Sequence, residues 1–203
     1  MKLNLKKFCI NLSLILIGFV IYFLQSNFFN WFSIGGIKPN LFIIYILFIG
    51  LFCTRSMSII YASALGIFLD LIFNSKVGVN LFGYVLIGVI GTIFNKNFSK
   101  DSRITIMFMV FGTSIIFETV VYFINYVLYS TNVEVMNFIK ILVVEVIYNM
   151  IITIILYSPI QKFGYYIENE YKGNKILTKY FWILENLFWF LIFYKYIFLE
   201  FFS

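Results

Sequence analysis

The sequence predicts an all-α integral membrane protein, a bundle of six transmembrane helices, and three observations carry that expectation. Of 203 residues, 62% are hydrophobic and 12% charged, with a mean hydropathy of +0.96. A water-soluble chain of this length needs far more polar surface to cover its core, whereas lipid lets apolar side chains face outward. The apolar residues also fall into runs near the roughly 20 residues that cross a bilayer. Finally, the basic residues between those runs are sorted to one side.

The first span covers Phe8 to Leu24 and extends through Gln25 to Trp31. Lys2, Lys6 and Lys7 before it resemble the start of a secretory signal peptide. The residues that follow, Gln25, Ser26, Asn27, Phe28 and Phe29, contain no small-x-small cleavage motif, so an uncleaved span is expected. The second span is Leu41 to Cys53, the third Met57 to Phe73 and the fourth Leu81 to Phe94. The second and fourth have apolar cores of only about 14 residues, and they cross only with flanks such as Ile37 and Val77 or where the bilayer thins. The fifth is Ile104 to Tyr129 and the sixth Val135 to Tyr157. After Pro159 come a polar stretch, Glu168 to Lys179, and a half-aromatic segment, Phe181 to Phe202. That segment reads either as a seventh span or as an interfacial helix with Trp182, Trp189 and Tyr194 at headgroup level. The expected division is a transmembrane domain over 1–165, then a cytoplasmic linker and aromatic helix over 166–203.

Loop charge tests the count. With a cytoplasmic N-terminus, the inner segments carry Lys2, Lys6, Lys7, Arg55, Lys96, Lys100, Arg103, Lys162, Lys172, Lys175 and Lys179, and the outer loops only Lys38 and Lys76. Eleven against two is a strong positive-inside bias, and deleting one middle span scrambles it.

Several function classes fall away. The chain has no histidine, which removes the usual general base and the commonest metal ligand. Cys9 and Cys53 are spaced neither as a metal knuckle nor as a redox pair, and both sit at span ends on the reducing side, so no disulfide is expected. The net charge of +6 is scattered over short loops and forms no patch for nucleic acid. No nucleophile–base pair, phosphate loop or dinucleotide turn is present. The sequence points away from an enzyme and implies no cofactor. Aromatic abundance beside only two Ala and two Arg reads as AT-rich coding bias more than as a ligand-stacking signal.

Charged groups at membrane depth are costly, so three acids stand out. Ser63, Gly66, Asp70 and Asn74 share one face of the third span; Ser114, Glu118, Tyr122 and Asn125 share one of the fifth; Glu145, Asn149 and Thr153 share one of the sixth. Glu118 lies 14 residues above the inner start of its span, about 21 Å up, and Glu145 ten residues below the outer start of the next, about 15 Å down. Both land at similar depth on consecutive helices. One reading is a cation or proton site, or a polar pocket open to the outside; the other is that these groups join the helices. Gly66, Gly83, Gly88 and Gly91 carry the same choice between close packing and a ligand cleft.

An ordered set of short motifs adds a resemblance. Pro39-Asn40-Leu41 opens the second span, and Gly66-Ile67-Phe68-Leu69-Asp70-Leu71 closes the third. Gly78-Val79-Asn80-Leu81 and Gly83-Tyr84 then lead into Leu86-Ile87-Gly88. In order and spacing these resemble the rod shape-determining protein MreD family, most clearly over about residues 37–94, with a weaker echo at Asn149 and Pro159. Locally, Pro39 suits a first turn, and Asn40 is expected to cap the helix after it. Asp70 and Asn80 are placed to tie the third helix to the fourth. The resemblance implies a non-catalytic member of the bacterial cell-elongation machinery in the cytoplasmic membrane. Its partners would be MreC and, through it, the actin-like MreB, RodA and a class B penicillin-binding protein. It also implies a fold similar to the substrate-binding subunits of energy-coupling-factor transporters. Pro39, Asn40, Gly66, Asp70, Gly78 and Asn80 are the structural or partner-binding candidates. The rival is a vitamin-type uptake subunit with Asp70, Glu118 and Glu145 around an outward-facing cavity. The family usually ends soon after its sixth span, so the tail from Phe181 is atypical.

Overall fold

In a bilayer no water satisfies exposed backbone groups, so each apolar run closes its own hydrogen bonds as a helix. The computed structural model describes residues 2–73, 78–129 and 134–172. Helix α1 (Lys2–Phe23) runs on through a π-helical turn (Leu24–Phe28) and a last short turn (Phe29–Trp31). Then follow α2 (Leu41–Phe52), α3 (Arg55–Phe73), α4 (Val79–Asn97), α5 (Arg103–Tyr129) and α6 (Val135–Lys172). Among the described residues the only extended pairing is an isolated bridge between Ile34 and Ile37.

Among the described residues, five of the six helices are long and apolar enough to cross a membrane; α2 is the shorter apolar one. Its 12 residues span about 18 Å, some 12 Å short of a hydrocarbon core about 30 Å thick. Every residue of α2 is buried, as a helix that is apolar all round should be. The second expected span is therefore a central pillar too short to cross alone. The fourth corrects in the opposite sense, since α4 adds two residues before Leu81 and three after Phe94 to reach 19.

Helix α4 packs closely on α2 and α3, α5 and α6 pair, and α1 touches the bundle sparsely through α2 and α6. The tight contacts come from missing side chains. A Cβ on Gly66 would sit 2.5 Å from Leu81 Cα, and one on Gly50 would sit 2.9 Å from Gly91 Cα, so both crossings are backbone on backbone.

The end of the bundle carrying Lys6, Lys7, Arg55, Lys96, Lys100 and Arg103 is its basic end. Here α6 departs from the expected stop near Tyr157 and runs 38 residues, about 57 Å, straight through Pro159. Proline removes one helical hydrogen bond. The turns flanking it are held from outside: Tyr157 Oη donates to the Asp101 carbonyl, Gln161 Nε2 to the Lys100 carbonyl at 3.5 Å, and Tyr165 Oη to Asp101 Oδ1. The aromatic segment 181–202 lies outside the described residues.

Candidate functional site

At the end opposite the basic end, a polar network ties four helices, α1, α4, α5 and α6, to the short pillar. Gln25, in the π-helical turn of α1, donates from Nε2 to the Pro39 carbonyl (2.8 Å), and its Oε1 accepts from the Leu41 N–H (3.0 Å). It thereby satisfies one of the orphan donors at the start of α2. The expected cap, Asn40, makes no side-chain cap bond. Its Oδ1 accepts instead from Tyr84 Oη on α4 (3.2 Å), and its N–H donates to Asn149 Oδ1 on α6 (2.8 Å). Asn149 Nδ2 donates onward to Ser114 Oγ on α5 (3.0 Å). Asn149 and Ser114 are fully buried, where a polar group without a partner is costly. Asn40 misses the cap because the amide of Gln25 already occupies that position from another helix.

Asp70 is the second joint. Fully buried at the end of α3, it accepts from the N–H groups of Gly78 (2.8 Å), Asn80 (2.9 Å) and Leu81 (3.2 Å). These are free donors of the first turn of α4, where the helix dipole favours an anion. Gly78 stands just before that turn with φ of 103°, a left-handed conformation that a side chain resists. Gly66, one turn before Asp70, lets α3 approach Leu81 closely enough for the carboxylate to reach. Gly66, Asp70, Gly78 and Asn80 thus meet at one joint, while Pro39 and Asn40 belong to the network around α2.

The space above the short pillar is a cavity of about 580 Å³, open to the exterior. Its lining comes from the end of α1, residues 36–38, the start of α2, and α3, α4 and α6. Glu145 and Asn80 line it; Asp70 and Glu118 do not. Glu145, only 7% exposed, lies beside Glu118, Asn40 and Asn149. Its Oε1 is buried with no hydrogen-bond partner among the described residues, as is Ser26 Oγ, which belongs to the same lining. No group of three or more potential metal-ligating His, Cys, Asp or Glu side chains occurs among the described residues.

The basic end holds a second polar cluster that sequence reasoning missed. Lys100 Nζ, in the loop between α4 and α5, donates to both oxygens of Glu168 (2.9 and 2.8 Å), to Asn95 Oδ1 (2.8 Å) and to the Leu51 carbonyl at the foot of α2 (3.1 Å). Burial lowers the Lys100 pKa, and Asp101 opposes that shift. Tyr171 Oη donates to Asn11 Oδ1 (2.7 Å), and Lys6 pairs with Glu170 (3.1 Å). Lys100 and Glu168 lie 68 residues apart with no shared motif, so no local signal joins them. Gln25 did carry one: an amide interrupting a long apolar run.

Long apolar helices crossing in glycine contacts and joined by buried polar side chains define a polytopic helical membrane protein. No curated protein and no solved structure matches the chain. The family model of rod shape-determining protein MreD matches residues 4–167, and the chain belongs to that family. Its role is therefore in rod shape determination, and the family is one of shape-determining proteins, not an enzyme family.

Proposed function

We propose that this chain is a non-catalytic scaffold of the bacterial cell-elongation machinery, set in the cytoplasmic membrane with its N-terminus inside. In this reading it holds MreC and, through MreC, supports side-wall peptidoglycan synthesis by RodA and a class B penicillin-binding protein beside MreB. One observation carries the proposal beyond family membership: the buried polar side chains are used to join helices. Asp70 gives both oxygens to backbone N–H groups of α4, and Asn40, Tyr84, Asn149 and Ser114 link α2, α4, α6 and α5. Such a frame holds lipid-facing surfaces in fixed positions. The face of α1 that carries Leu12, Leu16, Phe19, Val20 and Phe23 is exposed and suits a partner's transmembrane helix. The similarity to energy-coupling-factor subunits and the aromatic helix within 166–203 stand as parts of the same proposal.

The uptake reading placed three acids around one cavity. Asp70 is spent in the helix joint and only Glu145 of the three lines the cavity, so that version loses its support. Depletion in a rod-shaped host tests the scaffold. Rounded cells, and recovery of MreC with the chain in mild detergent, are expected. A nutrient requirement in cells of normal shape overturns the proposal.

A further inference from the structure

The cavity over α2 is not needed to hold the bundle together. Its lining shares Gln25, Asn40, Asn80 and Tyr84 with the helix joints, while Asp70, Asn149 and Ser114 stand outside it. Two of the three buried side-chain atoms without a hydrogen-bond partner among the described residues, Glu145 Oε1 and Ser26 Oγ, belong to its lining. Native interiors rarely leave such atoms unpaired, and an unpaired one commonly marks an absent partner. Lys38, the cation in the lining, donates to Asn30 Oδ1. Neither salt bridge among the described residues involves Glu145, and Glu118 beside it adds a second carboxyl group.

We propose that this cavity is a binding site for a small organic cation, a molecule whose ammonium or guanidinium group donates to Glu145 in its lining. A donor group is required because Glu145 Oε1 can only accept unless it is protonated, and a cation suits two adjoining carboxyl groups. A volume of about 580 Å³ lies within the range of roughly 300–1,000 Å³ typical of small-molecule sites. It exceeds what one inserted side chain fills. Asn30, Asn80 and Lys38 in the lining offer hydrogen bonds to the rest of such a molecule. The proposal stands independently of the partner assignment, because it concerns the opening between helices and not the lipid-facing surface.

The test uses the full chain in lipid nanodiscs, with methylguanidinium chloride as the probe. Tetramethylammonium chloride at equal ionic strength is the control, a cation that cannot donate a hydrogen bond. A membrane-permeant carbodiimide labels buried carboxyl groups, and peptide mass spectrometry reads the label at Glu145. Methylguanidinium should reduce labelling at Glu145 several-fold, while tetramethylammonium leaves it unchanged. The same probe should raise the thermal midpoint of the wild type and not that of Glu145→Gln. Equal labelling with both salts overturns the proposal. So does protection that appears only when a partner protein is bound, because the basic group would then be a partner's side chain. The labelling arm uses wild-type protein alone, so it decides the matter even if Glu145→Gln does not fold.

Discussion

The two ends of the bundle use charge in opposite ways. At the basic end the buried cation has its anion: Lys100 meets both oxygens of Glu168 and two further acceptors, and Asp101 accepts from two tyrosines of α6. Even Lys7, whose Nζ has no hydrogen-bond partner among the described residues, lies 5.4 Å from the centre of the Tyr171 ring, within cation–π range. At the other end two carboxyl groups adjoin, neither enters a salt bridge among the described residues, and a cavity opens at Glu145. The first arrangement closes a seam between α2, α6 and the loop after α4. The second keeps a space that the seam does not need. Buried charge is structural here where it is neutralised by the chain itself, and it is available for binding where it is not.

That contrast can be broken most sharply at Asp70, the acid near the open end that is fully engaged. Asp70→Ala strips three N–H groups of their acceptor and should cost about 3–5 kcal/mol, read as a lowered midpoint of unfolding in detergent. A loss under about 1 kcal/mol would remove Asp70 from the joints. Next in size, Lys100→Met leaves Glu168 without its cation and should cost about 2–4 kcal/mol. The pair Lys100→Met with Glu168→Leu should cost less than the two single losses together. Strict additivity in that cycle would mean that the seam is not a coupled unit.

Gly66→Ala should cost about 1–3 kcal/mol, because the added methyl meets backbone rather than a movable side chain. It should also weaken the Asp70 joint, so its effect in an Asp70→Ala background should shrink. The smallest effect is expected at Glu145. Glu145→Gln should leave stability unchanged or raise it by about 1 kcal/mol, since it removes one of two adjoining buried carboxyl groups. A loss as large as that of Asp70→Ala would put Glu145 among the joints and end the contrast between the ends.

Much of the architecture was readable from local pattern. Helix positions followed the apolar runs because a run either fits the bilayer or does not, and the doubt about the second span was well placed: α2 is short. The stripes on the fifth and sixth spans were legible too, and Ser114 on one bonds Asn149 on the other. Two readings failed for lack of a third dimension. Asn40 looked like a cap because Asn precedes a helix, yet Gln25 reaches that position from 16 residues away. The sixth span was read as Val135 to Tyr157, yet the helix runs on through Pro159, held by contacts with residues 100 and 101.

Composition and periodicity alone determined that this polypeptide is helical, membrane-embedded and sorted by charge, because those properties depend on each residue and its near neighbours along one helix. The tertiary structure decided which acid would be spent and which left open. Asp70 and Glu145 are equally conspicuous in the sequence, and what separates them is whether a set of free N–H groups happens to face the carboxylate. That depends on how α3, α4 and α6 cross the short pillar, a distance relation between segments that no single segment encodes.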